Sequence, residues 1–308
     1  MTRAGFLRAG AAAALLAAVR GAAALTPPPR RRTMIATRTI PSSGEALPVV
    51  GCGTWRTFDV GTDESERAPL AATLAALFDA GGSVVDSSPM YGRAEAVVGD
   101  LVAASDARAR AFLATKVWTH GRDAGAAQMR ESLRRLRTDH VDLMQVHNLV
   151  DWRTHLPVLR DWKAQGRIRY VGVTHYAASA YAELESVLRG ERIDFVQVNY
   201  SLEERAAERR ILPLAAERGV AVAINRPFGS GSLFAQTRGR PLPDWAAEFG
   251  CASWAQLFLK FVLGHPAVTC AIPGTRSAEH MLDDAAAGTG APLDAAARRR
   301  LLERWNAL

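Results

Sequence analysis

The first 40 residues of this 308-residue chain contain no aspartate or glutamate, yet they carry seven arginines (Arg3, Arg8, Arg20, Arg30, Arg31, Arg32 and Arg38). Setting those seven aside leaves 31 basic residues, which the 31 acidic residues balance, so the body of the chain is neutral. Nucleic-acid binding calls for a basic globular surface, and without one no nucleic-acid partner is expected. Cysteine is scarce as well. Cys52, Cys251 and Cys270 are odd in number and form no C-x-x-C, which excludes a disulfide framework and a zinc knuckle. No apolar run reaches the ~18 residues of a convincing membrane span. Lysine is nearly missing from residues 41–308, where Lys116, Lys163 and Lys260 stand beside 28 arginines. Apolar residues, by contrast, make up 48% of the chain. That supports a sizeable core in one large domain or two small ones, and excludes a disordered or collagen-like chain.

Residues 1–33 read as an address and a linker. A basic start (Thr2 to Arg8), a mild apolar stretch (Ala9 to Val19) and an A-x-A site at Ala22-Ala23-Ala24 have the order of a cleavable signal. The start resembles the twin-arginine export signal at Thr2-Arg3 and Phe6-Leu7-Arg8, with Ala4 where the second arginine belongs. Three prolines and three arginines between Thr26 and Arg32 cannot join a core. The expectation is a targeting segment over residues 1–33 and an exported, periplasmic domain over residues 34–308. The alternatives are a transit peptide, or a cytoplasmic protein whose true start is near Met34.

From Arg38 onward, short β-type runs alternate with helical patterns. Arg38 to Ile40 and Leu47 to Val49 flank the turn cluster Ser42-Ser43-Gly44-Glu45, which predicts a hairpin. Eight strands then begin at Val49, Ser83, Ala111, Val141, Ile168, Ile193, Val220 and Val268. Helices are predicted between them, including single helices over Arg205 to Arg218 and Ser253 to Leu263, and a last one over Ala295 to Trp305. The strands are continuous apolar runs, as strands buried on both faces should be. Eight β–α units predict a (β/α)8 TIM barrel with an N-terminal β-hairpin and an extra C-terminal helix. An open doubly wound sheet would carry G-x-G-x-x-G after its first strand, and Gly51 to Arg56 does not complete that pattern.

In such a barrel, chemistry sits at the C-terminal strand ends. Those ends read Asp86, Lys116, His147, Thr174-His175, Gln197 and Asn225-Arg226. Taken singly, Asp86 reads equally as a helix N-cap, Tyr91 as loop packing, Lys116 as a structural ion pair and His147 as a core histidine. Titratable groups at three successive strand ends are costly to bury unless paired, so Asp86 and Lys116 are expected to pair. Tyr91, five residues past Asp86, reaches the same rim, where a neighbouring ammonium is expected to lower its pKa. His147 is placed to donate to a carbonyl oxygen. The four together make a proton donor, a tuner, an orienter and a polarising group.

The strings Asp86-Ser-Ser-Pro-Met-Tyr91-Gly92, Ala114-Thr115-Lys116 and Val141-Asp-Leu-Met-Gln-Val-His147 resemble the signatures of the aldo-keto reductase family. So do Gly51-Cys-Gly53-Thr54-Trp55 and Ala271-Ile-Pro-Gly274-Thr275, and the resemblance covers residues 38–290 in order. It implies an NADPH-dependent carbonyl reductase (NADH being possible), monomeric, without a Rossmann domain or a metal. Tyr91 is then the general acid, Asp86 and Lys116 tune it, and His147 orients the carbonyl. Gly53, Thr54 and Trp55 are implied to flank the cofactor, with Thr174, His175 and Gln197 on its carboxamide. Pro227, Phe228, Gly229, Gly231 and Ser232 match the pyrophosphate loop. Gly274, Thr275, Arg276, His280, Asp283 and Asp284 match the adenosine end. The family often has an aromatic residue on the nicotinamide where this chain has Asn225 and Arg226, and NADPH-specific members often have lysine at Gly274. Arg276, at a helix start, is the substitute cation for the 2′-phosphate.

Other classes fit less well. A Schiff-base lyase would need Lys116 unprotonated, against its carboxylate partner. A metal hydrolase would need an H-x-H or H-E-x-x-H spacing that is missing. A sensor that binds the cofactor without turnover is the alternative from outside enzymology. The substrate is a small carbonyl compound, and Trp118, Trp152 and Trp245 in the rim loops favour an aromatic or apolar one.

Overall fold

The computed structural model describes residues 34–307; the expected targeting segment lies outside them. A short antiparallel hairpin comes first, β1 (Thr37–Thr39) against β2 (Ala46–Pro48). Its turn needs Gly44, where φ is +77°. Eight parallel strands follow: β3 (Cys52–Gly53), β4 (Val84–Asp86), β5 (Phe112–Val117), β6 (Val141–His147), β7 (Ile168–His175), β8 (Phe195–Asn199), β9 (Ala221–Asn225) and β10 (Cys270–Ala271). They pair in sequence order from β3 to β10. Val50 bridges Ala271 in parallel and closes the ring, with Gly51 N–H donating to Ala271 O at 2.9 Å. The closure is tight: a Cβ on Gly51 would lie 2.7 Å from the Cβ of Val84.

The outer layer comprises α1 (Glu64–Asp79), α2 (Ala94–Ala104), α3 (Arg122–Arg135), α4 (Trp152–Ala164), α5 (Tyr181–Gly190), α6 (Ala206–Arg209), α7 (Ile211–Glu217), α8 (Ser232–Thr237), α9 (Trp254–Leu263), α10 (Ala278–Ala286) and α11 (Ala295–Asn306). The main apolar core lies between these helices and the outward strand residues, such as Met144, Val146, Val196 and Val198. The inward residues form a second cluster that includes Val84, Phe112, Leu143, Tyr170, Phe195 and Ala221. Ile40 and Leu47 of the hairpin region join that inner cluster, so the hairpin plugs the lower end of the barrel. Arg38 ties it there, donating from Nη1 to His265 O at 3.0 Å and from its guanidinium to Val268 O.

Strand side chains alternate between faces. The inward series therefore runs Leu143, Gln145, His147 on β6 and Phe195, Gln197, Asn199 on β8. On β5 it runs Phe112, Ala114, Lys116. Each series starts apolar beside the hairpin and ends polar at the upper rim. One period-two pattern thus sets both the floor of the barrel and its reactive end.

Two expected elements differ. The single helix over residues 205–218 breaks at Arg210, whose φ/ψ of −132°/−59° separates α6 from α7. Pro213 explains this: it has no N–H for the Arg209 carbonyl, and its ring crowds that carbonyl. The last strand is confined to Cys270–Ala271, with Thr269 N–H donating to Val222 O and Ile272 N–H to Ile224 O on either side of it, and Pro273 has no N–H to carry the ladder further.

Candidate active site

Four polar side chains meet at the upper rim. Asp86 ends β4, Lys116 is the penultimate residue of β5, and His147 ends β6. Tyr91 enters from the loop after β4. Lys116 Nζ lies 2.6 Å from Asp86 Oδ2 and donates to Ser87 O at 2.7 Å. The lysine is fully buried. Burial works against its charge, but Asp86 and Tyr91 outweigh burial and raise its pKa. The other carboxylate oxygen of Asp86 accepts from Gln197 Nε2 (3.0 Å) and Gln145 Nε2 (3.2 Å). Thr174 Oγ1 in turn donates to Gln197 Oε1 at 3.1 Å. A buried ion pair is stable only when its remaining donors and acceptors are met in this way.

Lys116 Nζ lies 5.1 Å from the Tyr91 ring centroid. The lowered phenol pKa expected from that ammonium is corrected here: burial dominates and raises it, with Lys116 and Arg226 pulling it back only in part. Tyr91 therefore keeps its proton at neutral pH. Burial, followed by Lys116 and His175, drives the His147 pKa down to about 2, so the imidazole is neutral. Ser88 Oγ lies 3.0 Å from His147 Nδ1 and accepts the Met90 amide at 3.4 Å. With the Ser88 proton given to Nδ1, the single imidazole proton sits on Nε2. The Tyr91 and His147 rings meet edge to face at 5.8 Å. The arrangement offers two neutral donors, a phenol and an imidazole, to one oxygen atom.

Asp86, Tyr91 and His147 form the floor of a cavity of about 640 Å³, with Lys116 buried behind them. Of the sequence-predicted residues, Gly53, Thr54, Trp55, Asp86, Tyr91, His147, Thr174, Gln197, Asn225, Arg226, Pro227, Phe228, Gly231 and Gly274 line it. The buried Asn225 Oδ1 has no hydrogen-bond partner. Gly231, at φ +98°, has nothing within 4 Å of where a Cβ would stand, which leaves its backbone open to a ligand. Arg56, Asn148, Arg226 and Ser230 also line the cavity with positive φ. That conformation costs a residue with a Cβ about 1–2 kcal/mol and collects at functional sites.

The other predicted residues stand outside the lining. His175 stacks on Tyr176 at 5.6 Å and accepts the Ala177 amide. Ser232 Oγ donates to Glu203 and to Gly229 O. Thr275 and Asp284 are buried, while Arg276 and His280 are exposed around the start of α10. Asp283 accepts from Ser253 Oγ and Gln256 Nε2, both at 2.6 Å. Among the tryptophans, Trp118 lines the cavity but Trp152 and Trp245 do not, and the rim role expected for them is withdrawn. Both are buried; Trp152 donates to Glu183 and Trp245 packs on Phe249. Gln145, Ser88, Arg56 and Tyr176 were not expected at the site. Gln145 was legible, since it shares an inward face with Leu143 and His147. The others lie in loops without a periodic pattern.

Among the described residues no group of three or more His, Cys, Asp or Glu side chains could hold a metal, and no helix is long and apolar enough to cross a membrane. The family model "Aldo/keto reductase family" matches residues 49–302. Methylglyoxal reductase YeaE of Escherichia coli is 32% identical over 257 residues, covering 81% of this chain and 88% of that one. The 6-dehydroglucose reductase of Novosphingobium aromaticivorans is 28% identical over 278 residues, covering 82% and 90%. An aldo/keto reductase from Klebsiella pneumoniae, solved with NADP and acetate, superposes with a TM-score of 0.72 at 28% identity, covering 85% of this chain and 92% of that one.

Proposed function

This chain belongs to the aldo/keto reductase family, and on that premise we propose that it reduces an aldehyde or ketone to the alcohol, with Tyr91 as proton donor and NADPH as cofactor. One observation carries the reading: a protonated, half-buried phenol stands over the Lys116–Asp86 pair and beside a neutral imidazole at the floor of an open cavity. When bound, NADPH supplies the hydride. The residues fit such a group. Asn225 Oδ1 lacks a donor, and Thr174 and Gln197 line the same wall, as a carboxamide site requires. Residues 227–231 would hold the diphosphate, with Gly231 giving backbone access. Arg276, exposed near the Ser277 cap of α10 and without a carboxylate partner among the described residues, is the cation for the 2′-phosphate.

The chain's own residues perform the proton chemistry. Tyr91 and His147 Nε2 both donate to the carbonyl oxygen, which polarises the carbon. As negative charge grows on that oxygen, the phenol proton moves to it. The Lys116 ammonium stabilises the phenolate left behind, and Asp86, held by Gln145 and Gln197, fixes that ammonium in place. Tyr91→Phe keeps the ring and removes the proton. Its rate of carbonyl reduction should fall by about 10²–10⁴, with NADPH affinity measured by fluorescence near that of the unaltered protein. Unchanged turnover in that variant would remove Tyr91 from the mechanism.

A further inference from the structure

Five of the seven large hydrophobic side chains exposed among the described residues line one cavity: Trp55, Met90, Trp118, Tyr176 and Phe234. Two guanidinium groups are threaded between these rings. Arg56 lies 4.4 Å from the Trp55 centroid. Arg226 lies 5.7 Å from the same ring and 4.5 Å from Tyr176. Cation and ring thus alternate from Arg56 through Trp55 and Arg226 to Tyr176. Among the described residues neither the half-buried Arg226 nor the exposed Arg56 has a carboxylate partner, whereas most other half-buried or buried cations do. Asp86 is the sole acid on the cavity lining, and Lys116 neutralises it. The pocket of a carbonyl reductase therefore holds two positive charges without a carboxylate partner, planar guanidinium groups that the rings hold in place and that are free to donate paired N–H groups.

We propose that Arg226, assisted by Arg56, forms an anion subsite within the carbonyl pocket, and that the substrates are oxo-carboxylates, aldehydes or ketones that also carry a carboxylate. The proposal rests on the carbonyl-reductase reading above. The carbonyl carbon gains hydride, its oxygen gains the Tyr91 proton, and the carboxylate passes through unchanged. A guanidinium matches a carboxylate in two parallel hydrogen bonds, and rings that stack on its faces leave its N–H edge free to make them. Arg226 lines the same cavity as Tyr91, and its charge offsets a small part of the rise that burial causes in the phenol pKa.

The test compares kcat/KM within two matched pairs: 4-carboxybenzaldehyde against methyl 4-formylbenzoate, and 4-oxobutanoate against its methyl ester. The full-length protein with NADPH should prefer the acid in at least one pair by about ten- to a hundredfold, as a charge-assisted contact warrants. Raising the salt concentration should narrow the gap. Arg226→Gln should bring the ratio near one, and Arg56→Gln should reduce it several-fold. If acid and ester are reduced equally in both pairs, the anion subsite falls and the reductase reading stands. If none of the four compounds is reduced, both readings fall. If Arg226→Gln weakens NADPH binding in a direct titration and leaves the acid-to-ester ratio intact, Arg226 serves the cofactor and the proposal is overturned.

Discussion

Lys116 and Asp86 show how much one pair of residues settles. Lys116→Met removes the charge from a fully buried position and leaves the Asp86 carboxylate with only amide donors from Gln145 and Gln197. We expect a loss of about 3–5 kcal/mol in urea unfolding, together with loss of carbonyl reduction. Equal stability would mean that the pair is not what fixes Asp86. His147 gives a pH signature. Its folded pKa of about 2 lies far below the unfolded value of 6.5, so only the unfolded chain takes up its proton as pH falls between them. That group's contribution to stability is complete above pH 6.5 and declines below it. Between pH 7 and pH 5 the unaltered protein should lose about 2 kcal/mol more than His147→Gln does, which urea titrations at the two pH values measure. The tetrad itself was legible because polar residues closing apolar runs are conspicuous. The balance between burial and the ammonium at Tyr91 was not, because desolvation depends on everything packed around the ring. Ser88 and Tyr176 escaped for the same reason: nothing in a loop sequence says which way its side chains turn.

At the level of elements, the hairpin is the clearest case of a local pattern with a distant effect. β1 and β2 make only a two-stranded sheet, yet Ile40 and Leu47 fill the floor of the barrel alongside Phe112, Tyr170 and Phe195. Leu47→Ala should cost about 2–5 kcal/mol in chemical denaturation, the range for a cavity left in a packed core. Turnover by the remaining folded fraction should be normal, because the reactive rim lies at the other end. A cost below 1 kcal/mol would show that the hairpin is not a plug. The sequence marks the hairpin through its turn cluster and the strands through their apolar runs. It hides the break before α7, since the apolar periodicity continues across it and only the backbone chemistry of Pro213 interrupts the ladder. It also hides the destination of Trp152 and Trp245. Each stands in the first turn of a helical segment that follows a rim loop, Trp152 in α4 and Trp245 in the short 3-10 helix Asp244–Phe249, and their side chains turn back onto Glu183 and Phe249.

Over the whole molecule, the barrel interior holds its apolar cluster at the hairpin end and Asp86, Lys116 and His147 at the other, and the described core begins at Ile35. A chain starting at Met34 is accordingly expected to match the full-length protein in Tm and kcat; a fall in Tm of more than a few degrees would place stabilising contacts upstream of Met34. Barrel, strand order and rim chemistry followed from the spacing of β–α units. The charge and shape of the cavity mouth did not, because Arg56, Trp55, Arg226 and Tyr176 come from loops that only closure of the ring brings together. That row has an optical consequence. Of the seven tryptophans, the two that stand well exposed are Trp55 and Trp118, and both face the cavity. Light emitted by these two indoles reports on the cavity itself, whereas emission from the buried ones reports on the packed shell. A collisional quencher such as acrylamide reaches that pair most readily, the half-buried Trp254 and Trp305 less, and the buried Trp152, Trp162 and Trp245 least. Any molecule that settles between the rings shields them from it, so the protein carries its own gauge of occupancy and needs no attached dye.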